Sequence, residues 1–412
     1  MEKRRIAIIG AGASGMIAAI TAARSGADVT VFERNDRIGK KLLATGNGQC
    51  NLTNLNCDHS HFHGENPHFV DDAFKCFTIN ETTGFFNSLG ALTVAENDGR
   101  MYPRTYQAST ILDVLRFELD SCGITVKTQT PIISVKKNKS NFTLFSEDIH
   151  FTSDAVIVSC GSRAAPQLGG SSSGVDILNS LGHSSTATFP VLVPLKTDFP
   201  HSRHLKGTKV LADISLIIND KKVTTDYGEI LFTEYGLSGP PVIQLSILVN
   251  TALHQNKKVK CTVDLFPDKT YDELIEHLHK RFTNKSTFSI DTSLIGFINK
   301  RLITSVITES GITDPKKMSC DIHRVEINRI AATVKKWAFT ITGSLSWNDA
   351  HVCAGGIKTS EFNSATMESG LVEGLYATGE VLDITGDCGG YNLQWAWSSG
   401  VVAGRSAAKG EQ

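Results

Sequence analysis

The sequence predicts an α/β protein in which a Rossmann-type, parallel-sheet nucleotide domain is interrupted by a smaller β domain and a helical module. Three observations indicate this. The chain opens with an apolar strand, a glycine-rich turn and a helix; residues 190–265 change to short alternating segments broken by Pro and Gly; and a strand followed by a helix returns near the C-terminus. A change of pattern of this kind is typical of a sheet domain that carries an insertion.

The expected segments follow from these changes of pattern. They are 1–188 for the first part of the nucleotide domain, 189–266 for the inserted β domain, 267–338 for the helical insert, 339–356 for a return through the β domain and 357–412 for the last part of the nucleotide domain.

The first 33 residues carry G-x-G-x-x-G between a strand and a helix, and a second strand ends at an acid, Glu33. In this context Gly10 allows a tight turn, Gly12 lets the backbone approach a pyrophosphate, and Gly15 lets the helix pack closely on the strand. The positive N-terminal end of the helix then holds the phosphates. Glu33 is placed to accept hydrogen bonds from a ribose diol. The sequence therefore predicts a bound dinucleotide.

Composition limits the classes of partner. The chain has 412 residues, 41% of them hydrophobic and 20% charged, with a formal net charge of −1. This balance provides no broad positive surface for nucleic acid. No apolar run approaches the roughly 18 residues of a membrane span, and the early core strand leaves no room for a signal peptide. Nine scattered cysteines without C-x-x-C favour reduced thiols in a cytoplasm. No residue set shows metal-ligand spacing, so no metal is expected.

The residue pattern of segment 37–54 indicates which dinucleotide the protein binds. Two basic residues run into a cluster of Gly, Asn and Thr residues, and Gly46 and Gly48 suggest positive φ or close approach to a ligand. Nicotinamide enzymes continue here into βαβ units. Flavin enzymes instead send this segment along the pyrophosphate and ribityl chain, so the pattern favours FAD over NAD as the tightly held nucleotide.

Local pattern also predicts the remaining elements. Residues 68–122 are expected to be mostly helical with an interruption near 99–104, and 132–136, 142–145 and 149–151 to form a β-meander. A buried strand over 154–159 breaks at Cys160-Gly161. Further helices are expected over 271–282, 294–306, 325–337 and 395–405, the last being rich in small residues and therefore closely packed.

The C-terminal region is similar to the second flavin contact of flavoproteins with two dinucleotide-binding folds. There a strand ends at a position like Gly379-Glu380, and a residue like Asp383 lies beside the ribityl chain. Gly389 and Gly390 at a helix start would direct backbone N–H groups and the positive helix end towards the N1–C2=O edge of the flavin.

The motifs at 40–54, 231–240, 354–356, 366–369 and 379–397 together resemble one bacterial family of single-FAD flavoproteins. It is the aminoacetone-oxidase-like group, which includes the 3-dehydro-bile acid Δ4,6-reductase, the member that these motifs most resemble. The resemblance covers essentially the whole chain. It implies a glutathione-reductase-type FAD domain, an inserted β-barrel-like domain and a helical cap. Gln49, Cys160 and Glu234 depart from the family's usual Arg, Thr and His.

The residues expected to contact FAD lie in these motifs. They are Gly10, Gly12, Ala13, Ser14, Gly15, Glu33, Arg34, Lys40, Lys41, Thr45, Gly46, Asn47, Cys50, Asn51, Ile132, Gly161, Gly379, Glu380, Asp383, Gly390, Tyr391, Asn392 and Leu393.

The resemblance implies reduction of a C=C bond conjugated to a ketone, as in a 3-oxo-Δ4,6 bile acid or steroid, by hydride transfer from flavin N5. NAD(P)H is the expected electron donor. A weak acid must protonate the neighbouring carbon, and Tyr391 is the candidate, although it could also simply pack against the ring. His351 and Cys353 are candidates for the substrate face. Cys160 and Cys388 are expected to be small buried residues.

Three alternatives stay open from the sequence. One is an amine oxidase of the aminoacetone type that passes electrons to O₂ and yields H₂O₂. Another is a pyridine nucleotide–disulfide reductase using Cys50 and Cys57, although their spacing differs from that of such enzymes and only one G-x-G-x-x-G occurs. The third is a flavin-dependent module that binds RNA or a protein partner without catalysis, which the near-neutral charge disfavours. The pattern does not indicate an oligomeric state.

Overall fold

The computed structural model describes residues 3–96, 98–147, 149–200 and 202–410. The strands are β1 (Arg5–Ile9), β2 (Asp28–Phe32), β3 (Thr53–Asn54), β4 (Phe62–His63), β5 (Thr93–Ala95), β6 (Arg100–Pro103), β7 (Thr125–Lys127), β8 (Ser134–Lys137), β9 (Phe142–Phe145), β10 (His150–Ser153), β11 (Ala155–Val158), β12 (Phe189–Val191), β13 (Leu195–Thr197), β14 (Lys209–Ile218), β15 (Lys221–Phe232), β16 (Gly236–Ser238), β17 (Val259–Asp264), β18 (Trp337–Ser344), β19 (Val352–Ala354), β20 (Leu375–Ala377) and β21 (Thr385–Gly386).

The α-helices are α1 (Ala13–Arg24), α2 (Lys40–Ala44), α3 (Val70–Cys76), α4 (Ile79–Ser88), α5 (Ala108–Ser121), α6 (Ser173–Ser180), α7 (Ser202–Leu205), α8 (Pro240–His254), α9 (Tyr271–Asn284), α10 (Ile290–Ser293), α11 (Ile303–Glu309), α12 (Arg324–Lys335) and α13 (Tyr391–Lys409). These elements form two compact units. One contains residues 3–190 and 347–410, and the other contains residues 191–346.

The first unit is built on a parallel sheet of five strands in the order β20-β11-β1-β2-β7. Four consecutive residues are buried in β1, in β2 and in β11. Strands buried on both faces read as continuous apolar runs, which is how a parallel sheet covered by helices looks in sequence. In register, Ile9 lies opposite both Phe32 and Val158, so the turns after these three strands lie at one edge. The predicted α/β class is confirmed.

Helix α13 packs against helix α1 over several turns, because small residues line the contact. A Cβ added to Gly400 would lie 2.5 Å from Ile17 Cγ2, and one added to Gly404 would lie 2.5 Å from the Ala18 carbonyl oxygen. Helix α13 extends from Tyr391 to Lys409, well beyond the predicted 395–405. Its length fixes the C-terminal segment against the first nucleotide-binding helix.

Smaller sheets complete this unit. They include the meander β10-β9-β8, the sheet β3-β6-β5 and the pair β21-β4. Within residues 68–122 the predicted helices are α3, α4 and α5, and the predicted interruption near 99–104 coincides with β6. The strand β5, at 93–95, was not predicted. In the pair β21-β4, Thr385 lies opposite His63 and Gly386 opposite Phe62, which joins two segments more than 300 residues apart in sequence.

The second unit contains a closed barrel with strand order β13-β16-β15-β14-β17-β18. Its core includes Phe232, Trp337 and Phe339, all 1% exposed. The predicted helix over 294–306 is wrong: Gly296 adopts φ +84°, and helix α11 begins only at Ile303. The predicted helix over 325–337 ends at Lys335, because Trp337 begins β18 and faces the barrel core. Among the residues described, no helix has both the length and the apolar character needed to cross a bilayer.

Candidate functional site

The turn between β1 and α1 leaves a helix N-terminus available to a ligand. Gly10 adopts φ +104° and its N–H donates to the Phe32 carbonyl oxygen at 2.8 Å. Helix α1 then begins at Ala13 with no side-chain cap and no acidic residue in its first turn. A Cβ added to Gly12 would meet nothing within 4 Å. The first N–H groups of a helix have no partner within the helix, so this open end suits a phosphate group.

Gly15 has the packing role that the motif predicts. A Cβ added at this position would lie 1.9 Å from the Gly10 carbonyl oxygen. Gly10 itself lies against β11, since its added Cβ would be 2.5 Å from the Ser159 carbonyl oxygen. Both positions exclude side chains, so they bring the turn and the helix close to the sheet edge.

Glu33 is buried, with 7% of its surface exposed. Its Oε2 accepts the Ala11 N–H at 2.9 Å, and its Oε1 accepts the Asn35 N–H at 2.8 Å. Oε1 also accepts a hydrogen bond from Asn35 Nδ2 at 2.6 Å. The carboxylate is thereby fixed beside the glycine-rich turn, and Oε2 keeps a lone pair for a ribose hydroxyl. The neighbouring Arg34 is exposed, and Ile132 is buried in the same unit.

The segment 45–51 has an uncommon backbone. Gly46 (φ +56°), Asn47 (φ +54°) and Cys50 (φ +59°) all adopt left-handed conformations, which non-glycine residues seldom do. The Cys50 N–H donates to the Thr45 carbonyl oxygen at 2.9 Å, and the side chain of Cys50 is fully buried. Burial raises the pKa of its thiol to about 12. Strained backbone of this kind is concentrated at functional loops, which agrees with a role in holding a cofactor.

Asn51 provides the sharpest test of whether a cofactor fits. Its Oδ1 is buried and has no hydrogen-bond partner in the part of the chain that the structure describes. A Cβ added to Gly390 would lie 2.9 Å from this oxygen, and Gly390 precedes helix α13, which also lacks a side-chain cap. An unsatisfied buried acceptor costs about 1–3 kcal/mol. A ligand N–H or O–H at this position would remove that cost, so the residues fit a flavin cofactor.

Lys41 and Glu380, which the motifs predict separately, form an ion pair with Lys41 Nζ 2.7 Å from Glu380 Oε2. Glu380 Oε1 accepts the Cys353 N–H at 2.8 Å, which brings the candidate substrate-face segment to the same place. Burial, with a contribution from Lys41, lowers the pKa of His351. Lys40 instead pairs with Asp36 at 2.6 Å.

The C-terminal segment lies next to the first nucleotide-binding helix. Gly379 adopts φ +69°, and its added Cβ would lie 2.8 Å from Ser14 Oγ. Asp383 is 3% exposed and accepts the Glu65 N–H at 3.1 Å, and burial raises the pKa of its carboxyl group. The side-chain amide of Asn392 bonds to the Gly386 backbone at both N and O, so it holds the turn before α13.

Three further residues that were expected to contact FAD have different surroundings. Thr45 Oγ1 donates to the Leu42 carbonyl oxygen at 2.7 Å. Gly161 adopts φ +67° and an added Cβ would have no atom within 4 Å, whereas Leu393 is partly buried against the core. Glu234, one of the family departures, lies in the second unit and pairs with Lys206 at 2.8 Å.

Two histidines that the sequence reasoning missed lie beside Tyr391. His61 Nδ1 is 3.0 Å from Asp387 Oδ2, and His63 Nε2 is 2.8 Å from Asp387 Oδ1. The His61 ring stacks on the Tyr391 ring with centroids 4.3 Å apart. Burial and the nearby Asp387 carboxylate raise the pKa of Tyr391 to about 12. The alternating histidines at 59, 61 and 63 were a visible signal, but their partners lie far away in sequence.

The thiols do not favour disulfide chemistry. All nine cysteines are free, and burial raises the pKa of Cys50 and of Cys57. Thiol exchange requires thiolate, and these environments suppress it. Cys160 also has its pKa raised to about 12, chiefly by burial.

Comparison with known proteins identifies the family. Residues 4–406 match the family model of the HI0933-like protein Rossmann domain. The chain is 37% identical over 407 residues to the 3-dehydro-bile acid delta(4,6)-reductase of Clostridium scindens, which covers 98% of this chain and 99% of that protein.

Two further relatives carry a different name. The ribosomal RNA dihydrouridine synthase of Haemophilus influenzae is 31% identical over 408 residues (98% of both chains), and that of Escherichia coli is 30% identical over 401 residues (97% of this chain and 96% of that one). The family resemblance noted in the motifs is thus confirmed. The chain belongs to the HI0933-like family of Rossmann-fold flavoproteins and is an FAD-dependent oxidoreductase.

Proposed function

We propose that this enzyme reduces a C=C bond conjugated to a ketone in a 3-oxo-Δ4,6 bile acid or steroid, with NAD(P)H as the electron donor. When bound, FAD supplies the hydride through N5. The chain itself must hold the cofactor, orient the substrate and deliver a proton to the carbon next to the one that receives hydride.

The arrangement of Tyr391, His61 and Asp387 carries this proposal. Tyr391 follows directly after Gly390, whose added Cβ would lie 2.9 Å from the unsatisfied Asn51 Oδ1, and it is the first residue of α13, which has no side-chain cap. Its pKa of about 12 keeps it protonated at neutral pH, so it can donate a hydrogen bond or a proton. Asp387 holds both histidines and thereby fixes the ring on which the phenol stacks.

The names of the relatives support the reaction class. The Clostridium scindens relative is named as a reductase that acts at positions 4 and 6 of a 3-dehydro bile acid. The Haemophilus influenzae relative is named as a synthase of dihydrouridine, in which the ring double bond beside a carbonyl group is saturated. Both reactions need hydride at one carbon and a proton at its neighbour. An acid placed beside the flavin would serve either substrate.

Charge favours the small substrate over ribosomal RNA. Proteins that bind RNA neutralise phosphates with Lys and Arg, whereas this chain has 41 basic and 42 acidic residues. The greater identity to the bile acid enzyme, 37% against 31%, points in the same direction.

An anaerobic two-step experiment tests the proposal. The FAD-loaded enzyme is reduced with NADH or with NADPH while flavin absorbance is followed, and the reduced enzyme is then mixed with a 3-oxo-4,6-diene bile acid or with a ribosomal RNA fragment. In a separate aerobic assay, the oxidised enzyme is mixed with a primary amine. We expect rapid reoxidation only by the dienone, with one C=C bond of the dienone reduced for each reduced flavin consumed. Amine turnover with H₂O₂ would instead establish an oxidase, and dihydrouridine in the RNA would establish an RNA substrate.

A further inference from the structure

A second group of chemically reactive side chains lies outside the candidate active site. Nδ1 of His59 is 3.1 Å from Asp71 Oδ1, and Nδ1 of His68 is 3.0 Å from Asp71 Oδ2. The two imidazole rings lie with their centroids 4.0 Å apart and tilted by 41°. One donor atom from each of the three residues lies within 4.8 Å of the others. The three residues show no metal-ligand spacing in the sequence, because they come together only in the fold.

Two short, well-anchored segments provide these side chains. His59 begins a 3-10 turn whose N-cap, Asp58, accepts the Ser60 N–H at 2.8 Å. His68 lies in the next turn, Pro67–Phe69, which runs directly into α3, and Asp71 lies in the first turn of that helix. Val70 and Ala73 of α3 are fully buried, so the backbone that carries His68 and Asp71 is fixed to the core.

The spacing of the donor atoms suits a transition metal. Zinc binds imidazole nitrogen and carboxylate oxygen at about 2.0–2.2 Å in tetrahedral geometry, which places neighbouring ligand atoms roughly 3.3 Å apart. The two nitrogen–oxygen separations, 3.1 and 3.0 Å, are close to that value. A metal ion between the two imidazoles could therefore replace the two hydrogen bonds, with the Asp71 carboxylate supplying one or both of its oxygens.

The type of ligand and its exposure favour the same ion. Two imidazoles and one carboxylate form a borderline donor set that suits Zn²⁺ better than Mg²⁺ or Ca²⁺, which prefer oxygen. The side chains of His59 and His68 are 43% and 67% exposed, so an ion can enter from solvent and a water molecule can complete its coordination.

We propose that His59, His68 and Asp71 form a binding site for a divalent transition-metal ion, with Zn²⁺ as the ion of choice, that ties the 3-10 turn at His59 to helix α3. The site needs no flavin chemistry and is independent of the proposed reaction. Because these ligands meet only in the folded chain, binding of the ion stabilises the native state, by an amount that rises with the concentration of free ion relative to its dissociation constant.

Calorimetric titration of the FAD-loaded, full-length protein with zinc chloride at neutral pH tests the proposal. We expect one ion per chain with a dissociation constant in the micromolar range, and a zinc-dependent rise in melting temperature. His68→Ala and Asp71→Asn should each weaken binding by about tenfold or more and abolish the rise. Asp71→Asn preserves the shape of the side chain, and both variants are checked for unchanged melting without metal.

Two control variants exclude other ligands. His279→Ala removes an exposed histidine from α9, and Cys76→Ser removes an exposed thiol from α3 itself; both should bind zinc like the unmodified chain. Millimolar or weaker binding by the unmodified chain would overturn the proposal. So would unchanged binding in both His68→Ala and Asp71→Asn, which would place the ion elsewhere.

Discussion

The imidazole of His61 stacks on the phenol of Tyr391, with ring centroids 4.3 Å apart and planes 20° apart. The pair joins the segment after β3 to the first residue of α13, and Asp387 Oδ2 lies 3.0 Å from Nδ1 of the imidazole. Phe62 packs against the phenol edge-on at 6.3 Å. The phenol ring is thus oriented by neighbours on two sides.

Tyr391→Phe tests the proton donor. The variant keeps the ring and its stacking but removes the hydroxyl group. The reduced enzyme should therefore reduce the dienone about 10²–10⁴-fold more slowly. Stopped-flow reoxidation measures this rate, and bound FAD per chain should stay unchanged. An unaltered rate would assign Tyr391 a packing role only.

Asp387→Asn tests the positioning of that phenol. The amide can accept a hydrogen bond through one oxygen only, so His61 and His63 cannot both donate to it, and we expect reoxidation by the dienone to slow by roughly tenfold. The pH dependence of this rate should shift as well, which loss of folded protein alone would not cause. Asp220→Asn, at an exposed turn of the second unit, serves as the control; equal rates in the two variants would contradict the prediction.

The alkaline pH profile follows from the pKa of Tyr391. A proton donor must carry its proton, and a pKa raised to about 12 keeps the phenol protonated well above the ordinary tyrosine value of about 10. We therefore expect the rate of dienone reduction to show no alkaline decrease from this group up to about pH 10. Loss of activity near pH 8 without loss of FAD would point to a different acid.

Glu33→Ala tests the ribose contact. The substitution removes the acceptor that holds the Ala11 N–H and the Asn35 N–H, along with the proposed ribose hydrogen bonds. Hydrogen bonds to a charged group contribute about 1.5–3 kcal/mol, so the dissociation constant for FAD should rise roughly 10- to 100-fold. Flavin content after exhaustive dialysis measures the effect. Full retention of FAD would remove Glu33 from the cofactor site.

Gly15→Ala tests the packing of the first helix. The new methyl group would lie 1.9 Å from the Gly10 carbonyl oxygen, and because both groups belong to fixed backbone, overpacking should cost at least about 1–3 kcal/mol. Gly84→Ala is the matched control. Gly84 lies in α4 and an added methyl group would have no atom within 4 Å, so this variant should be more stable than the unmodified protein by roughly 1 kcal/mol. Denaturant unfolding of the two variants measures the difference; similar stabilities would contradict the predicted close contact.

The sequence by itself determined the elements whose signals are local. The glycine-rich turn, the strand before it and the acid after the next strand lie within 33 residues, and their spacing alone predicted Gly10, Gly15 and Glu33 in their places. The positive φ angles of Gly46 and Gly48 follow in the same way from residue type. The predicted helix over 294–306 was wrong because Gly296 takes a left-handed conformation that the apolar spacing around it conceals.

Only the tertiary structure decided which distant side chains meet. His61 and Asp387 are 326 residues apart and Lys41 and Glu380 are 339 residues apart, and each pair forms because strands or turns from opposite ends of the chain lie side by side. The partnership of His59 with Asp71 likewise depends on how one turn packs on α3. Such contacts are set by the packing of whole elements, whose free energy is spread over many residues and leaves no local mark in the sequence.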